Sequence, residues 1–197
     1  KTKGQHMNII LASTSPYRKE QLERITKSFK THAPDVDEDQ YKDQISNPRD
    51  LAETLAKLKA QSVLQRNLDD FIIGGDQVLS IDGKILGKPK TKDRAIDQLR
   101  MLSGKTHELI TSTCYLSESY IEVKTITAQM KMRKLRQEQI ENYIETESPL
   151  NCCGSYMLEN QGIALFEEIN CSDYTAIIGL PLMSTASVLM KNGFTIF

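Results

Sequence analysis

Apolar and polar positions divide this chain into short blocks that read as separate elements. Residues 8–12, NIILA, read as a short buried strand. Ser13-Thr14-Ser15-Pro16 supplies capping hydroxyls and a proline suited to a first helical position, so a helix is expected next, with Leu22 and Ile25 on its apolar side. Residues 29–33 read as a second strand leading into the acidic run Asp35-Val36-Asp37-Glu38-Asp39, which is expected to be a solvated loop. Asn47-Pro48 opens a helix that should reach residue 66. At about 100° per residue, Leu51, Leu55 and Leu58 share one face, flanked by Ala52, Ala56 and Val63. Lys59 falls on that inward side, while Lys57 points outward. An inward lysine either snorkels to the edge or needs an anionic partner.

Residues 71–90, FIIGGDQVLSIDGKILGKPK, are two apolar limbs around Asp82-Gly83, a two-residue hairpin signal. A carboxylate inside such a buried run is costly unless it is paired or bound to a metal, which singles out Asp76. In the simple register Ile81 pairs with Lys84 and Gln77 with Lys88, so Asp76 faces the opposite side of the sheet. A bulge or strong twist near Gly74-Gly75 or Gly87 is expected to bring Asp76 and Lys88 together. Thr91 caps a helix to residue 102 with Ala95, Leu99 and Leu102 inward. Residues 106–116 and 120–132 read as two long strands, the second alternating as a sheet with one solvated face. A helix over 136–147 follows. Residues 151–155 read as a turn, 156–163 as irregular, 166–169 as a helical turn and 175–178 as a strand. A helix over 181–191 is stopped by Asn192-Gly193. No repeat or linker interrupts this order, so residues 7–197 are expected to form one domain.

The chain has 197 residues, enough for one sizeable core. Its 25 Lys and Arg against 26 Asp and Glu give a net charge of -1. That balance argues against a nucleic-acid or membrane partner, both of which call for a basic excess, so any anion site must be local. Nor is there an apolar stretch of about twenty residues. The four cysteines form no CxxC pair and read as reduced thiols of a cytoplasmic protein, and no secretory signal is expected before the first strand. Residues 1–6 lie outside the pattern that starts at Met7 and are expected to be foreign to the native chain.

The hydroxyls, free backbone N–H groups and Arg18 at the first helix start make an anion site, with an ordinary capped basic turn as the alternative. Adding Asp76, the acidic run, Lys59 and Lys88 yields a set suited to a magnesium-type ion and a polyphosphate. The three histidines enter no nucleophile-plus-base motif, and His107 reads as structural. No metal-ligating Cys/His spacing and no GxxxxGK[ST] loop occur.

The opening LASTSPYRKEQL resembles the LASxSPRRxELL opening of the Maf family of nucleotide pyrophosphatases. The resemblance continues in order through APDVDED, LAKLKAQSV, IIGGDQV, GKILGKPKT, LRMLSGKTH, ENYIETESPLNCCGSYMLENQGIALFEEI and IIGLPL. It implies an α/β fold, an elongated mixed twisted sheet with flanking helices and two lobes around a cleft, similar to inosine triphosphate pyrophosphatases. It implies hydrolysis of a nucleoside triphosphate to the monophosphate and pyrophosphate with a divalent metal cation (Mg, Mn or Co). Carried over by position, Ser13, Arg18, Lys59 and Lys88 would contact phosphates, Glu38 would hold the metal, and Asp76 would be the catalytic carboxylate, as base or metal ligand. A homodimer is a further family expectation.

Three positions separate branches of that family. The branch acting on dTTP and UTP has arginine, threonine and glutamine where this chain has Tyr17, Gln77 and Glu159. The pattern here resembles the branch that hydrolyses 7-methyl-GTP. A methylated guanine is a cationic ring on which Tyr17 could stack, and Glu159 could accept from guanine N1–H and its amino group. The alternatives are a dTTP/UTP pyrophosphatase and a non-catalytic nucleotide-binding regulator of septation. Gly75 departs from the alanine or serine common beside the aspartate.

Overall fold

In a computed structural model, which describes residues 7–197, the chain builds a seven-stranded mixed sheet with helices on both faces. Residues 1–6, expected to be foreign, lie outside the described residues. The elements run β1 (Ile9–Ala12), α1 (Pro16–Glu23), β2 (Phe29–His32), α2 (Glu38–Gln44), α3 (Pro48–Leu64), β3 (Phe71–Ile81), β4 (Lys84–Leu86) and α4 (Lys92–Leu102). They continue as β5 (Thr106–Ser117), β6 (Tyr120–Met132), α5 (Gln137–Glu147), β7 (Phe166–Asn170), α6 (Thr175–Ile178) and α7 (Leu182–Lys191).

The strand order is β2-β1-β3-β5-β6-β7, with β4 also on β3. β1 runs parallel to β2 and to the start of β3, whereas β3, β5, β6 and β7 are antiparallel neighbours. β1 pairs with β3 only as far as Gly74, and β4 pairs only from Leu79, both on the edge opposite β5. Residues 75–78 of β3 therefore have no neighbour on that edge. Opposite them, Thr113 to Ile110 of β5 pair with Lys124 to Thr127 of β6, and β7 joins β6 only from Gln129. At Asp76 the sheet is thus three strands wide, and it broadens toward both ends.

Side chains of β3 alternate between faces. Ile72, Gly74, Asp76 and Val78 face α3, whose Leu51, Leu55, Ala56, Ala60 and Val63 are buried against the sheet. On the other face the core divides into two lobes. Phe71 and Ile73 pack with Leu180, Leu182 and Leu189 at one end, and Leu79 and Ile81 pack with Leu99, Leu102 and Ile144 at the other. Between these ends lie Gly75 and Gln77. Among the described residues no helix is long and apolar enough to cross a membrane.

Four local expectations are corrected. The acidic run is not all loop, because Glu38 opens α2. Glu38 and Asp39 sit in its first turn, where the helix dipole favours them, and Lys42 bridges both at 3.4 and 3.0 Å. Residues 166–169 are a strand rather than a helical turn. A bulge opposite Lys131/Met132 adds a residue to β7, so Phe166 and Ile169 both pair with inward-facing residues of β6 at a helix-like spacing. Residues 175–178 are a helix rather than a strand. The buried Asp173 carboxylate accepts from Thr175 N–H at 3.0 Å and Met183 N–H at 2.9 Å, and this capping overrides the β-branched composition. No bulge interrupts β3, which keeps one register with β5 from Ile72 to Ser80. Instead the β3–β4 ladder stops at Leu86, so Gln77 and Lys88 are not paired and the chain leaves the sheet at Gly87.

α3 lies on β3 because Gly74 has no side chain. A Cβ there would stand 2.7 Å from Ala56 O and 2.8 Å from Ala60 Cβ, with backbone that cannot step aside. Gly74→Ala is expected to destabilise the fold by about 2 kcal/mol, a loss of roughly 4–8 °C in Tm by calorimetry.

Candidate active site

The β3 edge left open between β1 and β4 is the floor of a cleft of about 630 Å³. Asp76 lies on that floor, 6% exposed. Because Gly74 lets α3 approach closely, Lys59 one turn beyond Ala56 reaches the carboxylate, with its ammonium donating to Asp76 Oδ1 at 2.7 Å. The same ammonium is 2.8 Å from Glu38 Oε1 at the start of α2. One buried cation is thus held between two carboxylates from different elements.

These charges set the protonation of the pair. Burial pushes the Asp76 carboxyl above the usual aspartate range, outweighing the pull of Lys59 and Arg18, and Glu38 pushes in the same direction as burial. For Glu38 burial also pushes upward, but Lys59 and Lys42 outweigh it and hold the carboxyl below its ordinary value. The two carboxylates are therefore driven apart, one toward ready protonation and one toward permanent charge, a division common at catalytic sites.

Arg18 enters from α1 and lies between two glycines. Its Nε donates to Gly179 O at 2.9 Å, and Cβ atoms built at Gly75 and Gly179 would each stand 3.4 Å from that nitrogen. Gly179 has φ +134, a conformation that side chains rarely adopt. Gly75, the departure noted in the sequence, therefore faces the arginine. Ser13 is not on the cleft wall. It is buried, and its Oγ accepts from Ser15 N–H at 3.0 Å, while Ser15 caps α1 and lines the cleft in its place.

Tyr17, Gln77, Lys88 and Glu159 all line the cleft. The Tyr17 hydroxyl donates to Met157 Sδ at 3.3 Å, and burial, with Cys152 and Glu159 nearby, raises its pKa. Gln77 is anchored: its amide nitrogen is 2.9 Å from Thr111 Oγ1, 3.0 Å from Ala176 O and 2.9 Å from Ile177 O, which ties α6 to the sheet. Its neighbour Cys153, whose Sγ lies 3.6 Å from Gln77 O, is pushed up to about 11 by burial, and Asp76 adds to the shift. Neither cysteine of the Cys152-Cys153 pair was expected at the site. Gln98 was missed as well. It donates to Gly87 O at 2.9 Å and accepts from Ser155 Oγ at 2.6 Å, joining the loop that carries Lys88 to the turn that carries Cys153. No periodic signal marks such a residue, because both partners are distant in sequence.

Among the described residues no group of three or more His, Cys, Asp or Glu converges on one point. The two carboxylates that do converge, Glu38 and Asp76, already share a cation in Lys59. An all-oxygen pair of this kind fits a hard divalent ion that takes its other ligands from water and phosphate.

A cleft with a buried carboxylate on its floor, a second carboxylate beside it and cations on its walls defines a phosphate-handling hydrolase class of site. The model of the Maf family, described as Maf-like protein, matches residues 8–192, and the chain belongs to that family. A protein of Bdellovibrio bacteriovorus named 7-methyl-GTP pyrophosphatase is 47% identical over 182 residues, covering 92% of this chain and 95% of its own. Proteins of the same name from Nitrosococcus oceani and Pseudomonas aeruginosa are 38% and 37% identical over 95% and 96% of this chain, and 94% and 98% of their own. Among solved structures, a HAM1 protein from Coxiella burnetii aligns over 94% of this chain and all (100%) of its own, with 12% identity and a TM-score of 0.47.

Replacing Lys59 with methionine removes the one partner that both carboxylates share. The Asp76 titration midpoint, read by carboxyl 13C NMR, is then expected to move up, since the ammonium is the strongest influence lowering it. An unchanged midpoint would contradict the coupling.

Proposed function

We propose that the protein hydrolyses a nucleoside triphosphate to the monophosphate and pyrophosphate, with 7-methyl-GTP as the preferred substrate. The observation that carries this reading is Asp76, a carboxylate held on the floor of a cleft by Lys59, with Arg18 and Lys88 on the walls. The names of the relatives supply the substrate class.

In this reading Arg18, Lys59 and Lys88 neutralise the phosphate chain and orient it over the open edge of β3. Water attacks the α-phosphorus, the bond from that phosphorus to the α,β-bridging oxygen breaks, and pyrophosphate leaves. Asp76 accepts a proton from the attacking water, a role for which its raised pKa suits it. Glu38 and Asp76 would hold a divalent cation, which when bound supplies charge neutralisation at the phosphoryl oxygens. Ser13 supports the phosphate end through its hydrogen bond to Ser15 N–H. Tyr17 stacks on the methylated guanine, Glu159 accepts from its N1–H and amino group, and Gln77 holds the α6 wall beside it.

Asp76→Asn is expected to lower pyrophosphate release by about a thousandfold, within the range of a lost general base, with the melting temperature held. Wild-type rates in that variant would remove Asp76 from the chemistry. A panel of 7-methyl-GTP, GTP, dTTP, UTP and CTP, with magnesium or manganese, tests the substrate assignment. Wild-type protein should favour 7-methyl-GTP, and Glu159→Gln should narrow the margin of guanine over pyrimidine substrates. An unaltered profile would sink the role of Glu159.

A further inference from the structure

Two more cations stand on the cleft wall beside Lys88, Lys90 on the same loop and Arg94 at the start of α4. The backbone of this loop is pinned at three points. Gly87 O accepts from Gln98, Pro89 is buried, and Lys90 N–H donates to Leu150 O at 2.9 Å. Arg94 follows on the first turn of α4, where its own N–H is capped by Thr91 Oγ1. The side chains contrast with this fixed backbone. Lys88, Lys90 and Arg94 are exposed, and among the described residues none of the three pairs with a carboxylate. The other lysines on the wall, Lys42 and Lys59, both form ion pairs with acids.

Lys90 also has φ +65, a left-handed conformation that costs a lysine energy and that glycine or asparagine would adopt more readily. Strain kept at a cleft wall with its charge unspent points to a ligand.

We propose that Lys90 and Arg94 join Lys88 to form an anionic subsite for the terminal phosphates of the substrate, the part that leaves as pyrophosphate. The proposal rests on the nucleotide hydrolysis read above. The subsite deepens that reading by separating the group released from the group retained. Gln98 and the Leu150 carbonyl hold the backbone beneath Lys88 and Lys90, so that ordering on binding is confined to the side chains.

The test uses the full chain and the double variant Lys90→Gly/Arg94→Gln, with inorganic pyrophosphate and a nucleoside monophosphate as separate inhibitors. The variant should weaken inhibition by pyrophosphate about tenfold, in line with losing two partly exposed charge-assisted contacts, and leave that by the monophosphate within about twofold. KM for the triphosphate should rise while kcat changes little. Its melting temperature should hold or rise, because glycine relieves the strained backbone. A structural role for Lys90 predicts the opposite, a lower melting temperature with pyrophosphate inhibition unchanged. Unchanged pyrophosphate inhibition, or a loss confined to the monophosphate, would overturn the subsite. Wild-type protein that hydrolyses no nucleotide yet binds pyrophosphate through Lys90 and Arg94 would instead overturn the hydrolysis and leave the subsite standing.

Discussion

A single ammonium between two carboxylates holds this site together. Lys59 of α3 reaches both Asp76 of β3 and Glu38 at the start of α2, so three successive elements meet on one charge. Taking such a group out of water is costly unless its partners are close, and here both are within 2.8 Å. That requirement explains the neighbours. Gly74 brings α3 close enough for Lys59 to reach, and the acidic first turn of α2 puts Glu38 in range. The gap in strand pairing leaves the β3 edge open toward the cleft that Asp76 lines. Losing the close approach at Gly74 or the acidic turn of α2 would take from Lys59 one of its two partners.

The same arrangement carries the chemistry. A carboxylate whose pKa is raised by burial can take a proton near neutrality more readily than an ordinary aspartate. A second carboxylate kept charged beside it can serve a cation throughout. Around them the walls divide the work. Arg18, pressed between Gly75 and Gly179, is fixed by its bond to the Gly179 carbonyl. The residues of the β4–α4 connection are fixed by their backbone and keep their charges free.

Much of this was legible in the residues. Periodicity alone placed Lys59 on the inner face of α3, and the apolar run made Asp76 conspicuous. Capping residues marked the starts of α1, α3 and α4. The resemblance to the Maf family singled out Glu38 among its acidic neighbours, which periodicity could not do. What stayed hidden depends on long-range pairing. β7 reads as a helical turn because a bulge shifts Phe166 and Ile169 into a spacing of three. α6 reads as a strand because the acceptor for its first N–H, Asp173, is itself held in place by the start of α7. Lys88 meets the cleft because its ladder ends early, and no local pattern announces where a ladder stops. Ser13 belongs to the recognised motif, and its Oγ accepts from Ser15 N–H within the turn.

The three-strand stretch at Asp76 has a mechanical meaning. A plate bends most easily where it is narrowest, and here the narrow section joins two broader lobes with separate cores. α3 lies across that section like a splint, its close contact at Gly74 stiffening one face, while on the other side Arg18 packs at Gly75, Gln77 holds α6 and Cys153 sits beside Gln77. Any flexing of one lobe against the other therefore pivots beside Asp76. The walls of the cleft travel in such a motion while its floor stays nearly still.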